Sequence, residues 1–238
     1  MNSAGRRSFW LYTLALVAFL ALVCAPTVAL ADNVTMKLEQ PTTTTNPNGV
    51  YVDPYPILIN GVTTTLLACD DYNTHISVGE QWNANRYLLG DLDSSLADTP
   101  KFSTFGTAIT NDHTFDDTGY SVLQMYQAVA LLTLDLLSNP ANEIVDSYAI
   151  WDIFDGPPQN VAGALTLAEN TLKNVKNLTG GVTTNTLSWL NQNVYIYTAI
   201  PPDGSQEFIG LVPDSGVTLM LLGAALVGLE GLRRRFGV

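Results

Sequence analysis

Paired carboxylates are the groups of this 238-residue chain that could carry out acid–base chemistry. Asp70 and Asp71 are adjacent, and Asp152 lies three residues before Asp155. A glycoside hydrolase uses two such groups, placed about 5–10 Å apart on either side of a sugar. However, the segment 32–212 holds twenty acidic residues, so a pair of this kind arises easily by chance. A secreted hydrolase is therefore an alternative, and the residues do not select one pair over the other.

The acidic segments could instead bind calcium. The segment that starts at Asp91 begins like an EF-hand loop, and so does the segment that starts at Asp112. Neither has the glycine that the sixth position of such a loop requires or the glutamate that the twelfth requires. A calcium-binding module therefore stays an alternative, and we expect no resident cofactor. Its weak candidate ligands are Asp70, Asp71, Asp91, Asp93, Asp112 and Asp116.

Signatures of other catalytic chemistry are missing from the sequence. It has no Gly-rich phosphate loop, no His-Glu-x-x-His and no Gly-x-Ser-x-Gly elbow. His75 and His113 are the only histidines, and neither has cysteines or acidic residues at a spacing typical of zinc sites. We therefore expect a protein without catalytic residues rather than an enzyme.

Three short motifs form the most informative constellation. They are Cys69-Asp70-Asp71, the Gly-x-x-Trp sequence that ends at Trp82, and Ala149-Ile150-Trp151 followed by an aspartate. Over roughly residues 49–211, their order resembles a group of uncharacterised bacterial proteins that carry PEP-CTERM sorting tails. The resemblance implies no established activity.

A fainter resemblance is to the thioester domains of bacterial surface adhesins. In that family a cysteine near a strand is bonded to the glutamine of a Thr-Gln-x-Ala-Ile-Trp helix. Here Ala149-Ile150-Trp151 matches, but Asp146-Ser147 stands where Thr-Gln is expected. Serine has no carboxamide carbon to form the thioester. The resemblance therefore implies a chemically silent copy, with Cys69 as a buried structural thiol.

The elements that must position these motifs begin with strands. Asn60-Gly61 is the preferred pair for a type I′ turn, so we predict a hairpin formed by residues 56–59 and 62–69. A third strand is predicted around residues 76–78, with Gly79 as the turn before Trp82. Late strands are predicted at residues 194–200 and 207–211, on either side of a Pro-Pro-Asp-Gly turn.

The middle of the domain has the apolar spacing of helices. Three stripes at steps of three and four residues occupy residues 123–137, 144–151 and 161–175, and each ends at proline or glycine. Such stripes are typical of a core-facing helix surface. We therefore predict a single α+β domain, residues 32–211, in which an antiparallel sheet of early and late strands packs with about three helices.

The N-terminal segment 1–31 is typical of a secretory signal peptide. Two arginines precede an apolar run, and Ala29 and Ala31 are the small residues expected before a cleavage site. Signal peptidase and the Sec machinery are therefore expected partners, with cleavage before Asp32. An uncleaved anchor and a lipoprotein attached at Cys24 are alternatives. After cleavage, Cys69 is the only thiol, so no internal disulfide can form.

The C-terminal segment 212–238 has three parts: a Val-Pro-Asp-Ser-Gly pentapeptide, an apolar stretch and a basic cluster. We predict a transmembrane helix at residues 217–232, with the basic cluster on the cytoplasmic side. The three parts together resemble the VPDSG-CTERM variant of the PEP-CTERM sorting signal. The resemblance implies recognition by an exosortase, a membrane-embedded transpeptidase; an unprocessed anchor is the alternative. The motif residues are Val212, Pro213, Asp214, Ser215, Gly216, Arg233, Arg234 and Arg235.

Charge excludes some partners. The chain has a net charge of −12, and only five of its ten basic residues lie between residues 32 and 212. This balance argues against nucleic acid and against docking on an anionic lipid surface. We expect an exported protein, briefly held in the membrane and then found at the cell surface or secreted. Its expected role is structural or adhesive, with extracellular polysaccharide as a partner and a glycan-binding module as an alternative.

Overall fold

The computed structural model describes residues 32–41, 49–52, 54–93, 100–103, 119–154, 156 and 160–211. All of them belong to one compact unit. The predicted signal peptide and sorting tail lie outside these residues, as do Asp112, Asp116 and Asp155. Within the described ranges, no helix is both long enough and apolar enough to span a bilayer.

The predicted hairpin is confirmed. Strand β2 (Tyr55–Ile59) pairs with β3 (Thr63–Cys69) in antiparallel register. Asn60 has a φ of 53° and Gly61 a φ of 67°. Positive φ at both central residues is the requirement of a type I′ turn, and the twist of this turn matches that of the strands it joins.

In the described residues, the antiparallel sheet that the sequence predicted is closed into a barrel of six strands. The remaining strands are β1 (Asp32–Leu38), β4 (Gln81–Leu88), β5 (Val194–Ala199) and β6 (Phe208–Leu211). The order around the barrel is β1-β2-β3-β6-β5-β4, and β4 pairs back with β1. Closure depends on β1, which the sequence reasoning did not identify as a strand. The predicted pairing of early with late strands is confirmed in β3–β6 and β4–β5.

The prediction of a strand at residues 76–78 is wrong. Residues 75–77 have no regular structure, and Val78 and Gly79 form a turn. The third strand of this region is β4, which begins one residue before Trp82. Ala84 of this strand is fully buried in the barrel interior, and Tyr87, on the opposite face of the strand, is buried as well.

The described residues contain four α-helices, one more than predicted. Three of them correspond to the predicted stripes. The fourth was missed because Leu190 is its only fully buried residue, so it has almost no apolar stripe. The helices are α1 (Val122–Ser138), α2 (Glu143–Phe154), α3 (Ala164–Asn177) and α4 (Thr184–Asn193).

The core has two parts that meet at β3 and β6. Inside the barrel, Leu67 and Phe208 belong to one buried cluster. On the other face of the same strands, Ala68 and Ile209 belong to the cluster formed with the helices. Side chains alternate between the two faces of a strand, so these two strands contribute to both clusters. The fold is therefore mixed α+β, as predicted.

Candidate functional site

The end of β3 brings Cys69, Asp70 and Trp151 together. Cys69 pairs with Phe208 of β6, and the backbone N–H of Asp70 continues the ladder by donating to the carbonyl of Glu207 at 3.3 Å. From α2, Trp151 Nε1 donates to the carbonyl oxygen of Cys69 at 2.9 Å. Cys69, Asp70 and Trp151 are each less than 5 % exposed. Two of the three sequence motifs therefore meet in a packed interior.

The thiol of Cys69 is buried and hydrogen-bonded. Its Sγ donates to the carbonyl oxygen of Asp71 at 3.2 Å, and Gln206 Nε2 donates to the same oxygen at 3.2 Å. Ser147, which stands where a thioester helix has glutamine, donates its hydroxyl to the carbonyl of Val52. Ser147 therefore ties α2 to the chain that leads into β2.

Asp71 forms a buried ion pair with Lys101. Lys101 Nζ lies 2.6 Å from Asp71 Oδ2, and the two side chains are 10 % and 0 % exposed. Lys101 Nζ also donates to Thr74 Oγ1 at 2.7 Å, and the backbone N–H of Thr74 donates to Asp71 Oδ1 at 3.2 Å. Burial of both partners makes the loss of either one costly, since the other is then left as an uncompensated charge.

Glu207 is the central acceptor of this region, and sequence reasoning missed it. Its Oε1 accepts a hydrogen bond from Tyr126 Oη at 2.5 Å, and its Oε2 accepts from the backbone N–H of Lys101 at 2.8 Å and from Thr198 Oγ1. We call Asp70, Asp71, Glu207 and Lys101 the carboxylate cluster. No sequence motif marks Glu207, because Tyr126 is 81 positions away and Lys101 is 106.

Burial governs the ionisation of the cluster. It raises the pKa of Glu207, and the hydrogen bonds from Thr198, Tyr126 and the Lys101 backbone act in the opposite direction. Burial also raises the pKa of Tyr126 far above its ordinary value, and the charges of Glu207 and Asp70 raise it further. The carboxylate cluster is therefore a packed polar network that joins β3, β6 and α1.

The geometry of the predicted acid–base pair does not suit a hydrolase. The side chains of Asp70 and Asp71 are both 0 % exposed, and that of Asp71 is held by Lys101. A sugar cannot reach either carboxyl group in this arrangement. Asp152 is buried on α2, and its predicted partner Asp155 lies outside the described residues.

The candidate calcium ligands that the structure describes, Asp70, Asp71, Asp91 and Asp93, are not gathered into a metal-binding group. Asp91 and Asp93 lie in a short 3-10 helix after β4 (Leu89–Asp93), and burial raises the pKa of Asp91. In the part of the chain that the structure describes, no group of three or more His, Cys, Asp and Glu side chains could hold a metal ion.

The remaining motif residues pack in the two hydrophobic clusters. Trp82 packs against the barrel interior and stacks on Phe208, with ring centroids 5.9 Å apart and planes 29° apart. Ala149 and Ile150 are fully buried in the helical cluster. Phe208, the residue paired with Cys69 on β6, therefore links Trp82 to Cys69.

A cavity of about 270 Å³ opens beside this network. We call it the aromatic cavity, because three tyrosines and a tryptophan line it. Trp151 and Gln206 connect it to the buried site, and the rings of Tyr72 and Trp151 lie 5.2 Å apart. The aromatic and polar side chains in its wall are Tyr51, Tyr55, Tyr72, Trp151, His75 and Gln206.

Solved structures that are weakly similar to the chain include two domains from Streptococcus pyogenes. The N-terminal domain of the Streptococcus pyogenes pilus tip adhesin Cpa superposes with a TM-score of 0.36 at 11% identity, covering 79% of this chain and 98% of that chain. The N-terminal thioester domain of fibronectin-binding protein SfbI from Streptococcus pyogenes gives a TM-score of 0.41 at 10% identity, with coverages of 79% and 97%. Similarities of this size support no argument about this protein.

The tail gives the informative match. A comparison with curated proteins finds no match to the chain. Residues 212–236, in contrast, match the model of the VPDSG-CTERM motif. The chain therefore carries this sorting motif, as its pentapeptide, apolar stretch and basic cluster predicted.

Proposed function

We propose that this chain is an exported protein, sorted by an exosortase, that acts at the cell surface or in the extracellular matrix by binding or as a structural component. The match of residues 212–236 to the VPDSG-CTERM motif carries the proposal. Strand β6 ends at Leu211, so the motif follows the last strand of the barrel directly. The sorting enzyme would act at the pentapeptide 212–216, next to the folded domain.

The proposed export pathway assigns a role to each end. Signal peptidase removes residues 1–31 after passage through the Sec machinery, and the mature chain begins at Asp32. Asp32 is the first residue of β1, and its carboxylate lies 2.6 Å from Arg86 of β4. Residues 217–232 then hold the chain in the membrane until it is processed, with Arg233–Arg235 on the cytoplasmic side.

A role without catalysis is supported by the burial of the chemically capable groups. The carboxylates of Asp70, Asp71 and Glu207 are fully buried, and Cys69 donates its thiol proton to a backbone carbonyl. Buried, hydrogen-bonded groups of this kind stabilise and specify a fold. What the domain offers to other molecules is its surface and the aromatic cavity.

The proposal is tested by following the size and location of the chain in cells that contain a VPDSG-type exosortase. Mass spectrometry of the surface and secreted fractions should find a mature protein that starts at Asp32 and lacks Arg233–Arg235. Replacing Pro213 and Asp214 with alanine should leave the full tail attached and keep the chain in the membrane fraction. Lys173→Ala, an exposed change on α3, serves as the control and should be processed normally.

Two results would contradict the proposal. One is a mature surface protein that still carries the arginine cluster, which would favour a simple anchor. The other is normal processing and release of the Pro213→Ala, Asp214→Ala double variant.

A further inference from the structure

Gln206, one of the residues that line the aromatic cavity, has a buried acceptor that no described residue satisfies. Gln206 is 6 % exposed, and its Nε2 donates to the carbonyl oxygen of Asp71. Because only the amide nitrogen can donate to a carbonyl, this bond fixes which end of the side chain is which. The other end, Oε1, is buried and accepts no hydrogen bond from the part of the chain that the structure describes. A buried acceptor of this kind costs about 1–3 kcal/mol unless a ligand or water supplies a donor.

Two of the three tyrosines in the cavity wall donate their hydroxyl protons to backbone carbonyls. Tyr51 Oη donates to the carbonyl of Pro54 at 3.3 Å, and Tyr55 Oη donates to the carbonyl of Tyr51 at 3.0 Å. These two protons are therefore not offered to a ligand, and the buried Gln206 Oε1 is the acceptor that a ligand with a donor group would satisfy.

Charge and shape restrict the ligand further. None of the described residues that line the cavity is Asp, Glu, Lys or Arg. An anionic ligand would therefore lose its hydration without gaining a lysine or arginine partner among these residues. The aromatic walls favour a ligand with a flat apolar face, because the ring faces carry negative charge density that attracts C–H groups.

We propose that the aromatic cavity binds a neutral saccharide. A pyranose ring offers an apolar C–H face to the tyrosine rings and a hydroxyl donor to Gln206 Oε1. A volume of about 270 Å³ is close to the lower end of the range of known ligand sites, about 300–1,000 Å³, so it suits one or two sugar rings. A proline-rich peptide fits less well, since its backbone offers carbonyl acceptors and few N–H donors.

The test is a titration of the full chain in detergent with cellotetraose, maltotetraose and mannotetraose, followed by calorimetry and by tryptophan fluorescence. We expect at least one of these neutral saccharides to bind and to change the fluorescence, because Trp151 lies in the cavity wall. Tetragalacturonate and a proline-rich decapeptide are the competing probes. Tighter binding of either one than of every neutral saccharide would overturn the proposal, and so would the absence of saccharide binding at millimolar concentration.

Matched valine substitutions locate the binding. Val78 lines the cavity and is 53 % exposed, so Val78→Arg places a bulky charge at the opening without disturbing the core. Val62 is 83 % exposed in the hairpin turn and is not among the residues that line the cavity, so Val62→Arg is the control. We expect Val78→Arg to weaken saccharide binding by about tenfold or more and Val62→Arg to leave it unchanged. Equal affinities for the two variants would overturn the proposed location.

A second variant tests the wall itself. Tyr72 is half-buried against Trp151, and Tyr72→Leu removes the ring while keeping an apolar side chain. Binding should again weaken by about tenfold, with a thermal unfolding curve to verify that the chain is folded. The inference goes beyond sorting, so the Pro213→Ala, Asp214→Ala double variant should bind the saccharide as the parent chain does. A failure of the saccharide proposal can thus be distinguished from a failure of the sorting proposal.

Discussion

Lys101 is the cation on which the carboxylate cluster depends. It is 10 % exposed and lies 2.6 Å from Asp71, and its backbone N–H donates to Glu207. Two buried carboxylates therefore contact Lys101, that of Asp71 through the ammonium group and that of Glu207 through the backbone N–H. Removing the ammonium group would leave Asp71 as an unpaired charge in a low-dielectric interior.

We predict that Lys101→Met lowers the free energy of unfolding by about 3–5 kcal/mol, since methionine keeps the aliphatic stem but not the charge. Urea denaturation measures this change. Lys173→Met provides the comparison, because Lys173 pairs with Glu169 on the exposed surface of α3 at 3.1 Å and should lose less than about 0.5 kcal/mol. Equal losses of unfolding free energy in the two variants would show that the buried Asp71–Lys101 pair contributes no more to stability than an exposed pair.

Asp146 is a buried carboxyl group that accepts no hydrogen bond from any described residue. Burial raises its pKa to about 7, and the like charge of Asp135 contributes to the rise. The pKa in the folded chain thus lies above that in the unfolded chain. The stability associated with the neutral form is present below about pH 4 and is lost as the pH rises through about 7.

Asp146→Asn should remove this loss. We expect the variant to match the parent near pH 4 and to be more stable near pH 8, by on the order of 2–4 kcal/mol in the free energy of unfolding. Urea denaturation at a series of pH values measures the difference. Asp135→Asn should move the midpoint of the parent's pH dependence to lower pH, since it removes the repulsion. A stability difference between Asp146→Asn and parent that is independent of pH would contradict this account.

The sequence predicted only some of the individual residues that form the site. The motifs at Cys69 and Trp151 indicated residues worth following, and the structure joins them by a hydrogen bond. Glu207 and Lys101 could not be predicted, because single acidic and basic residues have no signature apart from their partners. Those partners are set by the closure of the barrel and the docking of α1, which no local pattern encodes.

Among the elements, the hairpin of β2 and β3 depends most directly on local sequence. Gly61 has a φ of 67°, and a Cβ added there would meet nothing within 4 Å. Any cost of a substitution at this position is therefore backbone strain rather than a clash.

We predict that Gly61→Ala lowers the free energy of unfolding by about 1–2 kcal/mol, because alanine resists the left-handed region. Gly61→Asn should cost less, since asparagine tolerates that region. Thermal unfolding of the two variants measures the order. An alanine variant as stable as the asparagine variant would show that the turn relaxes to another type.

The elements that the sequence did not predict all depend on contacts between residues far apart in the chain. Helix α4 has a capping box, in which Thr183 and Thr186 bond each other's backbone N–H groups, but little apolar surface. Strands β1 and β4 both border polar, turn-rich segments, and their pairing with each other depends on long-range register. Local spacing therefore predicted the three amphipathic helices and the hairpin, while barrel closure required contacts distant in sequence.

At the scale of the whole molecule, β3 and β6 make the two cores one cooperative unit. Leu67 and Phe208 face the barrel interior, while Ala68 and Ile209 face the helices. Neither cluster can lose these strands without exposing the other.

We predict that the barrel and the helices unfold together. Hydrogen exchange followed by mass spectrometry, in a series of urea concentrations, should show peptides from residues 55–69 and 143–154 losing protection at the same urea concentration. Ile209→Ala should shift both peptides equally. Loss of protection in the barrel peptide at a lower urea concentration than in the helix peptide would contradict a single unit.

The position of the first and last strands in the barrel wall has a consequence for the timing of folding during the proposed export. Strand β1 lies between β2 and β4, and β6 lies between β3 and β5, so the wall is complete only when both termini of the domain are on the same side of the membrane. A polypeptide that emerges from a translocation channel with its N-terminus first cannot close such a wall early. The barrel therefore stays open, and the chain can still pass through the channel, until Leu211 has left it. The rate of closure is then limited by contacts between residues far apart in the chain.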